Sequence, residues 1–544
     1  MMDLWYKNAI VYCLDVETFM DGNGDGVGDF AGLTHRLDHI AALGATCVWL
    51  LPFYASPNRD NGYDVTDYYA IHPRLGTLGD FVEFTHLAKD RGLRVIADLP
   101  VNHTSTDHPW FQDSRRDPAS RYRDWYYWTE RRPENHDEGM VFPGVQKTTW
   151  THDPVAGAYY FHRFYPHEAD LKTENPAVRE EIQRIMGFWL QLGVSGFRID
   201  AAPFLIEEVG VDGPGPLRFE FLEEFRHFLS WRKGDAVMLA EANVTPDAAR
   251  DFFGDGDRMH MMFNFHVNQR LFLALATERA APIATALGDL PPLDVRSQWA
   301  NFLRNHDELD LGRLPDDEEA LVKDRFAPEP GMRLYERGIR RRLAPMLDGN
   351  ARRLKLANSL MLTLPGTPVI WAGDEIGMGD DLSQDERNSV RTPMQWSDGR
   401  NGGFSAADPD RVVRPVIATG PFAHDRVNVA AQQRDPDSLL NWFERACRAR
   451  RDCPELGWGD WRLLETGDPA VLAHAARWRD NRIVIVHNLS GEAREVTIPD
   501  LAGPDDHVLE VFCDGRRGAD PEPGKPLSLE PYGFRWLRTA GTRR

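Results

Sequence analysis

At several points an apolar run of this chain ends in side chains that can carry charge. Asp98 is followed by Asn102 and His103. Arg198 and Asp200 close the run Gly193-Val-Ser-Gly-Phe-Arg-Ile-Asp200. Glu241 follows Val237-Met-Leu-Ala, His306 and Asp307 follow Trp299-Ala-Asn-Phe-Leu, and Asp374 and Glu375 follow Gly366-Thr-Pro-Val-Ile-Trp. A charge at the tip of a buried segment is costly unless it is paired. One such pair reads as easily as a structural salt bridge as it does a site. A whole set of salt bridges would not choose the same end of every strand.

The residue types narrow the chemistry. The set offers carboxylates and histidines, with no Ser-His-Asp logic and no nucleotide-binding loop, which leaves acid–base or glycosyl chemistry. A retaining glycosidase needs one ionised carboxylate as nucleophile and a second, with raised pKa, to protonate the leaving oxygen. Asp200 suits the first role, because Arg198 lies two residues earlier on the same strand face and favours the charged form. Glu241 suits the second, because it ends an apolar strand where partial burial raises its pKa. Asp307 suits stabilisation of an oxocarbenium-like transition state, and His103 and His306 can donate to sugar hydroxyls.

The elements that must position these groups follow from the hydrophobic pattern. Apolar runs recur at 9–14, 45–53, 93–103, 193–204, 236–243, 259–265, 299–307 and 366–374, with amphipathic stretches such as 81–89, 178–192 and 353–364 between them. Strands alternating with helices predict parallel βαβ units, and eight of them predict an α/β fold of the (β/α)8 barrel type, in which function sits at the C-terminal strand ends. The expected barrel spans 1–103 and 177–453. The stretch 104–176, rich in Trp, Tyr, Asp, His and Pro, is expected to form an excursion domain after the third strand. From 454 to 544 short strands separated by turns predict a C-terminal antiparallel β-sandwich.

The glycine-rich loop Asp21-Gly-Asn-Gly-Asp-Gly-Val-Gly-Asp29 puts oxygen donors at alternate positions. Asp21, Asn23, Asp25, Val27 and Asp29 form a candidate set for a hard cation, most simply Ca²⁺. The loop is not an EF-hand, since its twelfth position is Gly32, and a metal-free turn is the simpler alternative. No organic cofactor is expected. The 63 Lys and Arg against 84 Asp and Glu give a net charge of −21, which argues against nucleic-acid and anionic membrane partners. It suits a small neutral or cationic ligand. The odd count of five cysteines, without a C-x-x-C, predicts free thiols in a reducing compartment. With no signal-like apolar segment near the N-terminus, a cytoplasmic protein is the expectation.

Four motifs, in order, resemble the α-amylase family, glycoside hydrolase family 13: Asp98-Leu-Pro-Val-Asn-His103, Gly196-Phe-Arg-Ile-Asp200, Glu241 within Leu-Ala-Glu-Ala-Asn, and Asn305-His-Asp307. The resemblance implies Asp200 as nucleophile, Glu241 as acid/base and Asp307 as transition-state stabiliser. It also implies that Arg198, His103 and His306 line the glucose site, with Asp98 in support. Gly62-Tyr-Asp64 resembles a segment in which a Tyr stacks under that glucose, and Arg391-Thr-Pro-Met-Gln-Trp396 one whose Arg pairs with the Asp. The resemblance thus implies that Tyr63 is a platform and that an Asp64–Arg391 pair closes the pocket behind a single glucose, as an enzyme of short α-glucosides requires. Within the family the longest likeness is to the trehalose synthase group, which implies a maltose or trehalose substrate. Ala201 after the nucleophile is similar to the small residue that accompanies α-1,4 bonds. The alternatives are an α-glucosidase, a transferase using sucrose or another acceptor, and an inactive carbohydrate-binding relative. Two segments depart from the pattern. Asp15 and Glu17 occur where an Arg-containing segment is usual, and Glu168-Ala-Asp-Leu-Lys172 replaces a Gln-Pro-Asp-Leu-Asn type segment, so the acceptor is the open question.

Overall fold

The computed structural model describes residues 3–210, 213–503, 506–515, 521–522 and 524–541. Eight strands, Val11–Leu14 (β1), Cys47–Leu50 (β2), Arg94–Leu99 (β3), Gly196–Ile199 (β4), Val237–Ala240 (β5), Met261–Phe263 (β6), Gln298–Phe302 (β7) and Thr367–Trp371 (β8), close into a parallel barrel in chain order. β8 pairs back onto β1. They fall on the eight apolar runs expected. Both faces of each strand are buried, with period two. Val11, Cys13, Trp49, Leu239 and Phe263 pack together in one cluster, while Tyr12, Leu14, Val48, Met238 and Met262 pack into the larger cluster formed with the helices. Such two-sided burial is why the strands read as continuous apolar runs instead of alternating ones.

Delivery of Arg198 and Asp200 illustrates the local logic. The helix Pro176–Gln191 starts at Asn175, whose side chain accepts the Ala177 N–H, with Pro176 in the first turn. It buries Val178, Ile182, Ile185, Met186 and Trp189, one face of a helix at three- and four-residue steps with Ile185 and Met186 side by side. The chain then reverses at Gly193, with φ at 108°. A Cβ there would meet Thr85 Oγ1 at 2.7 Å, so glycine is required twice over. β4 follows, with Arg198 level with Asp98 on β3 and Leu239 on β5. The charged groups of three neighbouring strands therefore rise to one height.

Between β3 and that helix, Trp128–Thr129, Trp150–Asp153 and Ala158–Phe161 form a small antiparallel sheet, and Glu168–Asp170 pairs with His103–Ser105. A helix, Pro109–Arg116, was not legible in the sequence, because it buries only Phe111 and Ser114. Two further excursions were also unforeseen. After β7 the chain forms the helix Asp316–Phe326 and a small sheet of Leu309–Asp310, Arg333–Leu334 and Gly338–Ile339. After β8 it runs through short 3-10 turns, such as Glu386–Val390, before the helix Leu439–Arg451.

The C-terminal region is a five-stranded antiparallel sheet and a two-stranded one, Arg494–Val496 with Leu527–Leu529. Leu464, Val484, Val496, Val508, Leu529 and Leu537 fill the space between them. The large sheet docks on the helix Ala351–Thr363. There Ser359 Oγ accepts the Trp536 indole N–H at 2.9 Å and lies 2.9 Å from His487 Nε2. The strands Asp506–Cys513 and Leu527–Leu529 escaped the sequence reading. Among the described residues no helix is long and apolar enough to cross a membrane.

Candidate active site

Arg198 is 1% exposed and joins the carboxylates of three strands. Its Nη1 donates to Asp98 Oδ1 at 2.9 Å and to Asp200, and its Nη2 lies 2.7 Å from Glu241 Oε2. Asp98 Oδ2 also accepts from the Trp49 indole at 3.3 Å and the Tyr63 hydroxyl at 3.1 Å. The Tyr63 ring is nearly parallel to His306, 9° apart, and its hydroxyl is 2.7 Å from His306 Nε2. Asp98 therefore supports Arg198 from below, and Arg198 presents Asp200 and Glu241 side by side.

The next residue, Ala201, is left-handed, with φ 48° and ψ 41°. That conformation costs a residue with a Cβ about 1–2 kcal/mol. It ends β4 at Asp200 and points the Ala201 N–H at Glu241 Oε2, 3.2 Å away. Sequence alone gives no sign of this.

Environment separates the carboxylates. Burial raises Asp200 to about 6 and Glu241 to about 7, each opposed by the Arg198 charge. At neutral pH Asp200 is mainly ionised, while Glu241 holds a proton much of the time. Burial would also raise Asp307, but His306, Arg387, Arg391 and Arg198 hold it well below the usual carboxylate range. Arg387 Nη1 and Arg391 Nη2 donate to Asp307 Oδ1 at 2.8 and 3.0 Å. Burial keeps His103 neutral, down to about 4, and lowers His306 well below its ordinary value.

These groups open into one cavity of about 620 Å³, whose wall carries Tyr63, His103, Asp200, Glu241 and Asp307 together. That size suits a small ligand. The cavity lining corrects one expectation. Asp64 and Arg391 do not form the pair. Asp64 is fully buried and accepts from Ser56 Oγ at 2.7 Å and from the backbone N–H groups of Arg59 and Asp60. It therefore braces its own turn. Arg391 reaches Asp307 and the His306 carbonyl instead. The Asp–Arg pair that lines the cavity is instead Asp60 with Arg387, at 3.3 Å. The Arg-Asp-Asn-Gly turn at Asp60 and the irregular turn at Arg387 carry no periodic signal, and so were missed.

The rim was also missed. Tyr165 of the first excursion and Tyr335 of the second both donate to Glu386 Oε2, at 2.5 and 2.7 Å. Phe142 packs on both tyrosine rings, with centroids 4.8 and 4.7 Å away, and Arg337 donates to the Val141 carbonyl at 2.9 Å. Three excursions thus meet over the cavity.

Other candidates fall elsewhere. Glu375 accepts from Tyr12 OH and the Gly373 N–H, and Asp374 faces Arg342, so this strand tip is structural. Asp15 and Glu17 are not surface groups. Arg414 lies 3.5 Å from Asp15 and 3.0 Å from Glu17, and also holds Asn61 and the Arg391 carbonyl. Glu168 lines the cavity, whereas Lys172 pairs with Asp124 at 2.7 Å outside it. In the glycine-rich loop, Asp21 accepts the N–H groups of Asn23, Gly24 and Gly26, and Asp29 those of Gly22, Asn23 and Gly32. Asn23 and Asp25 accept the N–H groups of Asp25 and Val27. Among the described residues no cluster of three or more His, Cys, Asp or Glu is arranged to hold a metal.

A (β/α)8 barrel with three carboxylates on one guanidinium, and a fourth held anionic beside them, defines an enzyme of glycosyl hydrolysis or transfer. The family model for the alpha amylase catalytic domain matches residues 15–323 and 340–459, and a sucrose hydrolase-like C-terminal domain model matches 481–538. The chain belongs to the α-amylase family. It is 42% identical to the trehalose synthase of Thermus thermophilus over 98% of its own length, and spans 55% of that protein. It is 40% identical to the trehalose synthase of Pimelobacter sp. (strain R48), over 98% of this chain and 96% of that one. The solved trehalose-6-phosphate hydrolase of Bacillus licheniformis superposes with a TM-score of 0.79 at 27% identity, covering 98% of this chain and 100% of that one.

Proposed function

We propose that this chain is a retaining α-glucosyl transferase of the trehalose synthase type that interconverts maltose and trehalose. The observation that carries this reading is one cavity that holds Asp200, Glu241 and Asp307 together with the Asp60–Arg387 pair, beneath a rim tied together at Glu386. Relatives named trehalose synthase add weight. A guanidinium shared by Asp200 and Glu241 favours the short carboxyl separation, roughly 5–5.5 Å, of retaining enzymes over the wider gap that admits a water.

Asp200 attacks the anomeric carbon while Glu241 gives its proton to the glycosidic oxygen, and the carbon–oxygen bond breaks. Asp307, anionic under its arginines, stabilises the positive charge on the ring. Glucose leaves as a covalent glucosyl-enzyme forms. Held under the rim, it turns its anomeric hydroxyl to the ester. Glu241, now ionised, takes that proton, the new oxygen–carbon bond forms, and Asp200 departs as carboxylate. Water in the same position would give hydrolysis, so rim closure decides between the two outcomes.

Incubation with maltose, trehalose and sucrose separately, with product analysis, tests the reading. Trehalose from maltose with little free glucose is expected, and glucose alone would overturn it. As a second element of this proposal, the loop at Asp21, Asn23, Asp25, Val27 and Asp29 takes Ca²⁺. Its donors are all hard oxygens, and Asn23 Oδ1, Asp25 Oδ1 and Asp29 Oδ1 each accept a single N–H and keep a lone pair. A chelator should lower the melting temperature, and no change with no metal found by elemental analysis would leave a plain turn. The chain is further proposed to act in the cytoplasm.

A further inference from the structure

Arg414 is only 7% exposed, although it lies in an irregular segment far in sequence from the barrel strands it meets. Groups from separate stretches of chain converge on it. Its Nη2 donates to Glu17 Oε2 at 3.0 Å and to Asn61 Oδ1. Its Nη1 donates to the Arg391 carbonyl at 3.2 Å and lies 3.5 Å from Asp15 Oδ2. Glu17 Oε1 in turn accepts from Asn58 Nδ2 at 2.7 Å, so the turn at Asp60 is gripped on both sides. The gap beside the cluster measures about 10 Å³, room for at most one water. So tight a cluster passes on small shifts instead of absorbing them.

Both poles of the cluster hang on the glycine-rich loop. The Glu17 carbonyl accepts the Gly28 N–H at 2.8 Å, and the Val413 N–H donates to the Gly26 carbonyl at 2.9 Å. A Cβ on Gly28 would strike the Val16 carbonyl, and one on Gly26 the Arg411 carbonyl, so each approach needs glycine. The segment at 15–17 lacks the Arg usual in the family, and residue 414 supplies one from across the chain.

The cluster holds two arms of the site. Asp60, next to Asn61, lines the cavity and pairs with Arg387, which donates to Asp307. Arg391 donates to Asp307 from the other arm. We propose that Arg414 is a positioning residue for glucosyl transfer, which by tying Asn61 and the Arg391 carbonyl to Glu17 sets Asp60 and both arginines against Asp307. This rests on reading Asp307 as the transition-state carboxylate. Arg414 acts through these residues and not on the sugar. A guanidinium suits the task because its donors point in fixed directions, whereas an ammonium is a point charge.

The test measures kcat and KM for maltose and for a nitrophenyl α-glucoside, well below the melting temperature. The proteins are the wild type, Arg414→Lys, Asn61→Gly, Asp60→Asn and Asp60→Asn/Asn61→Gly. Arg414→Lys keeps the buried charge and loses the fork. Asn61→Gly keeps the left-handed turn, with φ 51° at this residue, and removes the side chain that Arg414 holds. Asn61→Gly should lower kcat/KM about 10-fold, mainly through KM, the loss of one hydrogen bond to a charged group. Arg414→Lys should lower it about 100-fold and lower kcat as well, as a small misplacement near the reacting groups does. Asn61→Gly should keep the wild-type melting temperature. The pH limits of activity should stay in place in both, because Asp200 and Glu241 are untouched. In the Asp60→Asn background Asn61→Gly should cost little more. A purely structural role would lower the melting temperature and spare the kinetics of the folded enzyme. Unchanged kcat/KM in either single variant, displaced pH limits, or a full additional loss in the double variant would overturn the proposal. If Arg414→Lys does not fold, the Asn61 variants decide. If maltose yields no trehalose, the transfer reading falls while the aryl glucoside still decides this one. If neither is turned over, glucose binding by calorimetry decides. Weaker binding in Asn61→Gly supports the proposal, and equal or absent binding overturns it.

Discussion

Arg387 donates to Asp307 at 2.8 Å with one guanidinium nitrogen and turns the other to Asp60 at 3.3 Å. One side chain thus lines the cavity, pairs with Asp60 and holds the carboxylate assigned to the transition state. Replacing it with Ala leaves Asp60 unpaired and removes one of the two arginines on Asp307. We expect kcat/KM for maltose to fall by about 10²–10³, the usual cost of losing a preorganised charge contact. Asp60→Asn, which spares Asp307, should cost less and act mainly on KM. Steady-state kinetics of the two variants checks the order, and an Asp60→Asn defect larger than that of Arg387→Ala would contradict it.

The pH dependence of activity follows from the two carboxylates on Arg198. Asp200, raised to about 6, must be ionised to attack, so activity should rise as pH passes upward through that value. Glu241, raised to about 7, must be protonated to release the leaving sugar, so activity should fall above it. The expected profile of kcat/KM is a narrow bell between those limbs. Glu241→Gln, assayed with an activated α-glucosyl fluoride that needs no acid, should keep the acid limb and lose the alkaline one. Retention of the alkaline limb would assign it elsewhere.

The barrel was legible because its strands are buried on both faces and its helices are amphipathic, so burial wrote itself into the pattern. The core of the site was legible for a related reason. Asp98, Arg198, Asp200, Glu241 and Asp307 are charges at the ends of apolar runs, where they stand out. Asp60 and Arg387 lie in turns among other polar residues, and nothing in spacing separates them from surface charge. The Asp64 expectation failed for the same cause, since two aspartates four residues apart in one turn look alike until one is seen bracing the backbone. The burial of Asp15 and Glu17 around a cation had no sign in the sequence, because their partner, Arg414, lies almost 400 residues away, as the separation of 397 for Glu17 shows. Pairings across such distances leave no local trace.

The rim should govern what intercepts the glucosyl-enzyme. Tyr335 OH donates to Glu386 at 2.7 Å, and its ring packs on Phe142. Tyr335→Phe keeps the packing and removes the tie. Loss of one hydrogen bond, typically worth about 0.5–1.5 kcal/mol, should let the rim open more often. We expect the ratio of glucose released to trehalose formed from maltose to rise several-fold, with total consumption of maltose little changed. Product analysis over a time course measures this, and an unaltered ratio would show that rim closure is not the determinant.

Arg414 is buried with Asp15 and Glu17 around it, 3.5 and 3.0 Å from its guanidinium nitrogens, and also holds Asn61 beside the Asp60 turn. Arg414→Met would remove the cation paired with buried Glu17 and with largely buried Asp15. Removing one partner of a buried ion pair typically costs about 3–5 kcal/mol. Burial and the neighbouring Glu17 already raise the Asp15 pKa against the pull of Arg414, and the variant would raise it further. A carboxyl whose folded pKa lies above its unfolded value loses stability as pH rises through the folded pKa. The deficit in denaturation midpoint should therefore grow from acidic to neutral pH. Asp15→Asn in the Arg414→Met background should recover part of it at neutral pH. A pH-independent deficit, or no recovery, would show that Arg414 acts through packing and not through charge.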